Sequence, residues 1–521
     1  MPGQDIDKEF KNAIRIHEKP VILIATPEIT ELPEGIGNAA NIITAKGGGL
    51  GDISASLVRY FSDADKYDIH VVLPKYDNRI KQLSDITNKQ IDRLTLVLRG
   101  KGIHLVNDSA FAHLSNPYED NKIHSRVRRS LAYQRNVIND LIDWLRPDVI
   151  HCNDWMTALI PSAARAKGVK TLFTLHNIFT ELQTLKAIEL SGLKPFEFGE
   201  FLYFEKFPEN LLENWEQHFH TNRVDFTASA IMAADYFNTV SPTFLVELIE
   251  GKFSHLVPES IYLTIKNKFE NGRAAGILNS PNVHVNPRYM NHIHNYSKKT
   301  VLTGKAINKE NFQRKLGLPL EKDVPLFFWP NRLFYQKAPE LLLDNIEYFF
   351  NRYDMQVAII ANGDAELEHQ AIRLAKQYER FAYRTFDEDV SNLGKAAADF
   401  ILMPSRYEPC GLPQMEAPKF GTLPVVHATG GLKDTINQLD VCKNKGNGFL
   451  FYLNDRIGLE YGIVEALEFY KLPPEIKEVQ IQRIMMEAER DFDMENTARK
   501  YMEIYDLLLE ESEKEIARRE T

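Results

Sequence analysis

The strongest constraint on this chain is the apolar run Phe400-Ile401-Leu402-Met403, preceded by Asp399 and closed by Pro404. An unbroken apolar run without alternation, stopped by a proline, reads as a parallel strand buried on both faces over residues 399–403. Ser405-Arg406-Tyr407-Glu408-Pro409-Cys410-Gly411-Leu412 comes next, then a candidate helix over 414–420. A carboxylate, glycines and a helix start therefore meet at the carboxyl end of a strand, the edge where doubly wound α/β sheets bind ligands. A helix start there offers N–H groups and a positive dipole end to a phosphate. Taken alone, Glu408 suits a simple N-terminal helix acid equally well.

Two other stretches carry similar chemistry. Lys46-Gly47-Gly48-Gly49-Leu50-Gly51-Asp52 opens a helical pattern through Ile53, Leu57, Val58 and Phe61. Its glycines let backbone approach a ligand, and Lys46 adds a point charge for phosphate. It lacks the Gly-Lys-Ser/Thr ending of a P-loop, so a tight turn is the competing reading. Arg332-Leu333-Phe334-Tyr335-Gln336-Lys337 follows the apolar run over 325–329. Arg332 and Lys337 just beyond a strand make a candidate diphosphate clamp, Arg as a fork and Lys as a point charge, against a reading as two solvated cations.

Together these motifs resemble the glycogen and starch synthase family, retaining glycosyltransferases of the family 5 type that use a sugar nucleotide. The resemblance rests on Lys46 to Asp52, Arg332 to Lys337, Pro404 to Leu412, and Thr429-Gly430-Gly431-Leu432-Lys433-Asp434-Thr435. Weaker matches are His151-Cys152-Asn153-Asp154-Trp155, Thr174-Leu175-His176-Asn177, Thr239 to Thr243, and Gly276-Ile277-Leu278-Asn279. In order and spacing it spans about residues 21–505.

Bulk properties suit an ordinary soluble globular protein of a reducing cytosol. At 521 residues the chain needs two or three cores. A net charge of −10 argues against nucleic-acid partners. Three cysteines without paired spacing suit a reducing compartment. The charged first 19 residues lack the apolar core of a signal peptide, and no run is long enough to span a membrane.

The pattern predicts strands over 21–27, 68–74, 148–154, 171–176 and 236–242, with helices over 51–61, 131–145, 155–166 and 226–234. Residues 179–221 fit no clean period, and 278–287 are turn-rich, suiting a hinge. The alternation restarts with strands over 325–330, 355–361, 381–386, 399–403 and 423–427 and helices over 339–350, 366–378 and 455–469. That is α/β, two Rossmann-like domains. The resemblance implies that they face a cleft, the GT-B architecture. It divides the chain into an acceptor and catalytic domain, 1–280, a nucleotide-sugar domain, 281–495, and a helix, 496–521, returning to the first.

The implied donor is ADP-glucose or UDP-glucose, the acceptor an α-1,4-glucan, with no metal or other cofactor. Glu408 falls beside the donor hexose and His176 near the reacting centre. Arg332 and Lys337 hold the diphosphate with the backbone near Cys410, Gly411 and Leu412; Lys46, Gly48, Gly49 and Asp52 join them, and Phe386 stacks on the base. Asp154, Asn279 and Glu416 are further candidates, Glu416 also reading as a helix-surface acid. The cluster Asp387-Glu388-Asp389 could hold a metal, but an acidic helix start explains it. Departures from the family pattern include Met156 after Trp155, Thr180-Glu181-Leu182 after the His-Asn motif, Ser280-Pro281-Asn282, and Pro413, which has no N–H. They leave open a different acceptor, or a weakly active glucan-binding homologue.

Overall fold

Seven parallel strands make the first sheet of the computed structural model, which describes residues 18–32, 49–76, 95–111, 113–114, 123–207 and 215–520. They begin with β1 (Val21–Ala25), β2 (Asp68–Pro74), β3 (Ile103–Val106), β4 (Val149–Asn153) and β5 (Lys170–Leu175). Three short strands, β6 (Leu182–Thr184), β7 (Tyr203–Phe204) and β8 (Arg223–Asp225), then form a separate antiparallel sheet. β9 (Tyr236–Thr239) and β10 (Ala274–Gly276) rejoin the first, whose order is β10-β9-β5-β4-β1-β2-β3.

The second sheet has six parallel strands: β11 (Leu326–Trp329), β12 (Gln356–Ile360), β13 (Phe381–Arg384), β14 (Phe400–Met403), β15 (Leu423–His427) and β16 (Phe449–Phe451). Their order is β13-β12-β11-β14-β15-β16. Alternate residues supply two cores. Phe327, Trp329, Phe400 and Leu402 pack on one face, and Leu326, Phe328, Ile401 and Met403 on the other. Both faces are covered, which is why these strands read as unbroken apolar runs.

The described chain forms two compact units. Unit 1 takes residues up to Val240, Leu245–Ile277 and Thr497 onward; unit 2 takes Ser241–Phe244 and Leu278–Asn496. The helix Met494–Glu520 thus gives most of its length to unit 1, where it meets the sheet through a buried chain of hydrogen bonds. Tyr505 lies 2.7 Å from His151 Nδ1, and His151 Nε2 lies 2.7 Å from Thr174 Oγ1. The Thr174 hydroxyl donates to Asn238 Oδ1 at 2.6 Å, and Asn238 Nδ2 donates to Tyr501 at 3.1 Å. Because the Thr174 proton is committed to Asn238, His151 Nε2 is the donor to Thr174, and Nδ1 accepts from Tyr505. Burial pulls the His151 pKa down to about 3, with a smaller contribution from His176.

Several local expectations are corrected. The expected helix over 131–145 starts at Ile123 and contains a π turn, Val137–Leu141. The segment over 339–350 splits into Glu340–Leu343 and Ile346–Phe350. The turn expected to start a helix at 414 starts one at Pro413, where a missing N–H costs nothing, and tightens to a 3-10 helix over Ala417–Phe420. Residues 179–221, expected to be irregular, supply β6 and β7 of the antiparallel sheet. Strands β3, β10 and β16 were not expected, each being four residues or fewer.

Candidate active site

In unit 2, β11 and its neighbours β12 and β14 mark the point where strand order reverses, and the loops leaving β11 and β14 meet there. Trp329 Nε1 donates to the Asn331 carbonyl at 2.7 Å and shapes the first turn. Leu333 then lies against the end of β12, its N–H on the Asn362 carbonyl at 3.0 Å and its carbonyl accepting the Asp364 N–H at 2.9 Å. A Cβ on Gly363 would stand 2.2 Å from the Leu333 carbonyl oxygen, so only glycine permits this approach. Arg332, between these anchors, is exposed, with its guanidinium 5.3 Å from the Phe334 ring centroid.

A 3-10 turn, Tyr335–Lys337, carries the chain on to the β14 loop. The Arg406 N–H donates to the Gln336 carbonyl at 2.9 Å, and Gln336 Nε2 reaches the Tyr407 carbonyl at 3.3 Å. So held, Lys337 Nζ forms an ion pair of 2.5 Å with Glu408 Oε2, and Ser405 Oγ donates to the same oxygen at 3.0 Å. Glu408 is 4% exposed, so this carboxylate is fixed rather than mobile. His427, ending β15, holds the Ser405 carbonyl through Nδ1 at 2.7 Å. The Gly431 N–H donates to the Glu408 carbonyl at 2.9 Å. Cβ atoms on Gly430 and Gly431 would stand 1.9 and 2.1 Å from the carbonyl oxygens of Glu408 and Cys410. The Thr-Gly-Gly motif therefore works here as a close backbone buttress for Glu408.

Other candidates in unit 2 take varied places. Phe386 follows β13, is 54% exposed, and donates its N–H to Asn362 Oδ1 at 2.9 Å. Cys410 is buried; burial raises its thiol to about 12, and the Asn279 N–H lies on it. Gly411 has φ of +75° and leads through Leu412, the N-cap, into the short helix Pro413–Glu416. Glu416 pairs with Lys395 at 2.5 Å. Asp387 caps the helix Glu388–Ala397 by accepting the Val390 N–H at 3.1 Å.

In unit 1 the strand order reverses around β1, whose neighbours are β2 and β4, and the site there is neutral in character. Asn153 ends β4; its Nδ2 donates to the Ala25 carbonyl at 3.3 Å, which leaves Oδ1 to accept from His176 Nε2 at 2.9 Å. His176 follows β5, and the surrounding protein lowers its pKa to about 3. It is therefore a neutral imidazole with the proton on Nε2 and a lone pair on Nδ1. Asp154 sits at φ of +63°, and its Oδ1 accepts the His176 and Asn177 N–H groups at 3.2 and 3.4 Å. Desolvation raises its carboxyl to about 7, against the lowering effect of those two hydrogen bonds. Gly49 begins the helix Gly49–Ala64, with Asp52 in its first turn; Lys46 and Gly48 lie outside the described residues. Of the departures, Met156 is buried, and the Thr180 hydroxyl accepts the Thr227 N–H at 3.0 Å, so both serve the fold locally.

A family profile described as "Starch synthase catalytic domain" matches residues 22–260, and one described as "Glycosyl transferases group 1" matches 308–482. The glycogen synthase of Cellvibrio japonicus is 32% identical over 494 residues, covering 88% of this chain and 96% of that protein. The chain belongs to the glycogen synthase family. The glycogen synthase of Thermosipho melanesiensis is 29% identical, over 88% of this chain and 96% of its own length. Among solved structures, the catalytic domain of starch synthase IV from Arabidopsis thaliana, bound to ADP and acarbose, superposes with a TM-score of 0.73 at 22% identity. It covers 94% of this chain and 99% of its own. The fold is thus that of the family's glycosyltransferases, and Ser405, Gln336, Gly363 and His427 join the site as residues that the sequence reading did not single out. Ser405 lay inside the quoted motif; Gly363 and His427 carried no signal, because their importance comes from tertiary approach.

Proposed function

We propose that this glycosyltransferase moves glucose from ADP-glucose or UDP-glucose to the non-reducing end of an α-1,4-glucan, with retention of configuration. The carrying observation is the Lys337–Glu408–Ser405 constellation beside exposed Arg332 at the strand-order reversal of unit 2. Departure of a nucleoside diphosphate places negative charge on phosphate and positive charge on the sugar. Arg332 stabilises the first, with Lys337 shared between phosphate and Glu408, as fixed charges that need no reorganisation. Glu408 stabilises the second. With one oxygen held by both Lys337 and Ser405, it acts as a fixed negative charge rather than a nucleophile, which favours attack by the acceptor hydroxyl on the face the diphosphate leaves.

The ends of β4 and β5 in unit 1 offer groups suited to hydroxyls: neutral His176 with a lone pair on Nδ1, and Asp154 with its raised pKa. Lys46, Gly48, Gly49 and Asp52 are assigned to the donor phosphates, Phe386 to the base, and the backbone from Cys410 to Leu412 to the diphosphate. On this reading the first unit is the acceptor domain and the second the donor domain. No metal is required, since cations of the chain neutralise the leaving group. Among the described residues no helix is long and apolar enough to cross a membrane, and we place the enzyme in the cytoplasm, where its three unpaired cysteines are stable.

The test is nucleotide release from a panel of sugar nucleotides, with and without glycogen and with EDTA. The reading predicts glycogen-dependent release of ADP or UDP that survives the chelator. Release without transfer to glucan, or loss of turnover restored only by magnesium or manganese, contradicts it.

A further inference from the structure

At the opposite edge of the unit 1 sheet, where β5, β9 and β10 begin, lies an open pocket of about 510 Å³. Its floor is Lys170, the first residue of β5, with Asp235 and Arg273, which immediately precede β9 and β10. Arg165 enters from the helix Ile160–Ala166, and Lys268 from the helix Glu259–Glu270. The C-terminal helix closes one side with Glu511, Lys514, Glu515 and Arg518.

The wall holds six cationic side chains and three carboxylates. The carboxylates are taken up by two of the cations. Lys170 pairs with Glu515 at 2.6 Å and Asp235 at 3.5 Å, and Arg273 pairs with Glu511 at 2.6 Å. The two cations on the flanking helices have no carboxylate partner among the described residues. Arg165 Nη1 donates to the Ala233 carbonyl at 3.0 Å, and Lys268 donates to the Ala234 carbonyl. These carbonyls close the helix Phe226–Ala233, so the two side chains serve as its C-terminal caps, and neither forms an ion pair with a carboxylate among the described residues. Burial first, and then the nearby Arg165, lower the Lys268 pKa to about 8, against the raising effect of Asp235.

We propose that this pocket is a binding site for a small phosphate-bearing anion, distinct from the donor and acceptor groups. The Arg165 guanidinium fork and the Lys268 ammonium match the oxygens of a phosphate dianion, which accepts several charge-assisted hydrogen bonds at once. The volume admits a phosphate ester with a sugar-sized remainder. The pocket lies at the amino ends of the strands, whereas Asn153 and His176 lie at their carboxyl ends, so its ligand is not the sugar bound there.

Titration calorimetry of the full chain with inorganic phosphate and with pyrophosphate, at constant ionic strength, tests the site. The Arg332→Ala variant serves as background, so that phosphate binding by the donor groups is suppressed. Saturable binding in that background, weakened at least tenfold by Arg165→Gln with Lys268→Met, is the expected result. Lys514→Gln with Arg518→Gln, on the exposed end of the C-terminal helix, should weaken it severalfold without threatening the fold. No saturable binding in the Arg332→Ala background, or affinity unchanged by both pairs of substitutions, overturns the proposal.

Discussion

The two parallel sheets reverse strand order in the same way, yet their reversal points carry opposite chemistry. Unit 2 sets charge there: exposed Arg332, and the Lys337–Glu408 pair locked by Ser405. Unit 1 sets hydrogen bonds there: neutral His176 on Asn153, and Asp154 with a carboxyl raised to about 7. On the proposed reading, one topology serves an anionic leaving group in one place and uncharged hydroxyls in the other. The difference lies in a few loop residues and not in the strands, as expected when function is grafted on a fold.

The largest expected effect breaks the comparison from the unit 1 side by acid. His151 and His176 have folded pKa values near 3, below the ordinary 6.5, so the unfolded chain takes up protons between pH 6.5 and 3 that the folded chain refuses. Stability therefore falls as pH drops through that window. Asp154, with its raised pKa, works in the opposite direction between about 4 and 7 and offsets part of the loss. For fully buried His151 the full effect at pH 3 is on the order of 5 kcal/mol. Denaturant midpoints at pH 7 and pH 4 should differ markedly, and less so in His151→Gln. Equal midpoints at the two pH values would show that the unit 1 histidines are not held neutral.

Next comes Glu408→Ala, which should lower turnover by about 10²–10³-fold, the scale of removing one preorganised charge. Nucleoside diphosphate affinity should hold or rise, because Lys337 is released from its pair. Steady-state kinetics beside calorimetry with ADP and UDP separates the two; affinity lost in step with turnover would move Glu408 from the sugar to the phosphate.

A smaller effect distinguishes the two cations of unit 2. Arg332→Ala and Lys337→Ala should each weaken diphosphate binding by about 1.5–3 kcal/mol. Only Lys337→Ala should also destabilise the fold, by roughly 3 kcal/mol, because it strands a buried carboxylate. Equal melting of the two variants would mean that the Lys337–Glu408 pair contributes nothing to stability.

Much of this was legible in the sequence, for physical reasons that differ by element. Strands such as β14 and β15 are covered on both faces, so their apolar runs announced them, and β15 fell at the expected residues. Helices with caps and long apolar stripes, such as Arg456–Tyr470, were placed within a residue or two. The three-stranded antiparallel sheet was missed because strands of two or three residues show no period. In the site, Glu408 and Lys337 stood in quotable motifs, whereas their pairing did not. Their separation of seventy-one positions hides a contact made by two loops, and the Gly363 and Gly430 approaches that permit it exist only in the folded chain.

The central claim is that Arg332 and Lys337 of unit 2 hold the donor diphosphate and that His176 of unit 1 does not. Calorimetry of ADP and UDP with Arg332→Ala and His176→Ala, each beside the unaltered enzyme, addresses it most directly. The account predicts about a tenfold or greater loss of affinity in Arg332→Ala, and an affinity in His176→Ala that matches the unaltered enzyme. Full affinity in Arg332→Ala together with a large loss in His176→Ala would contradict it.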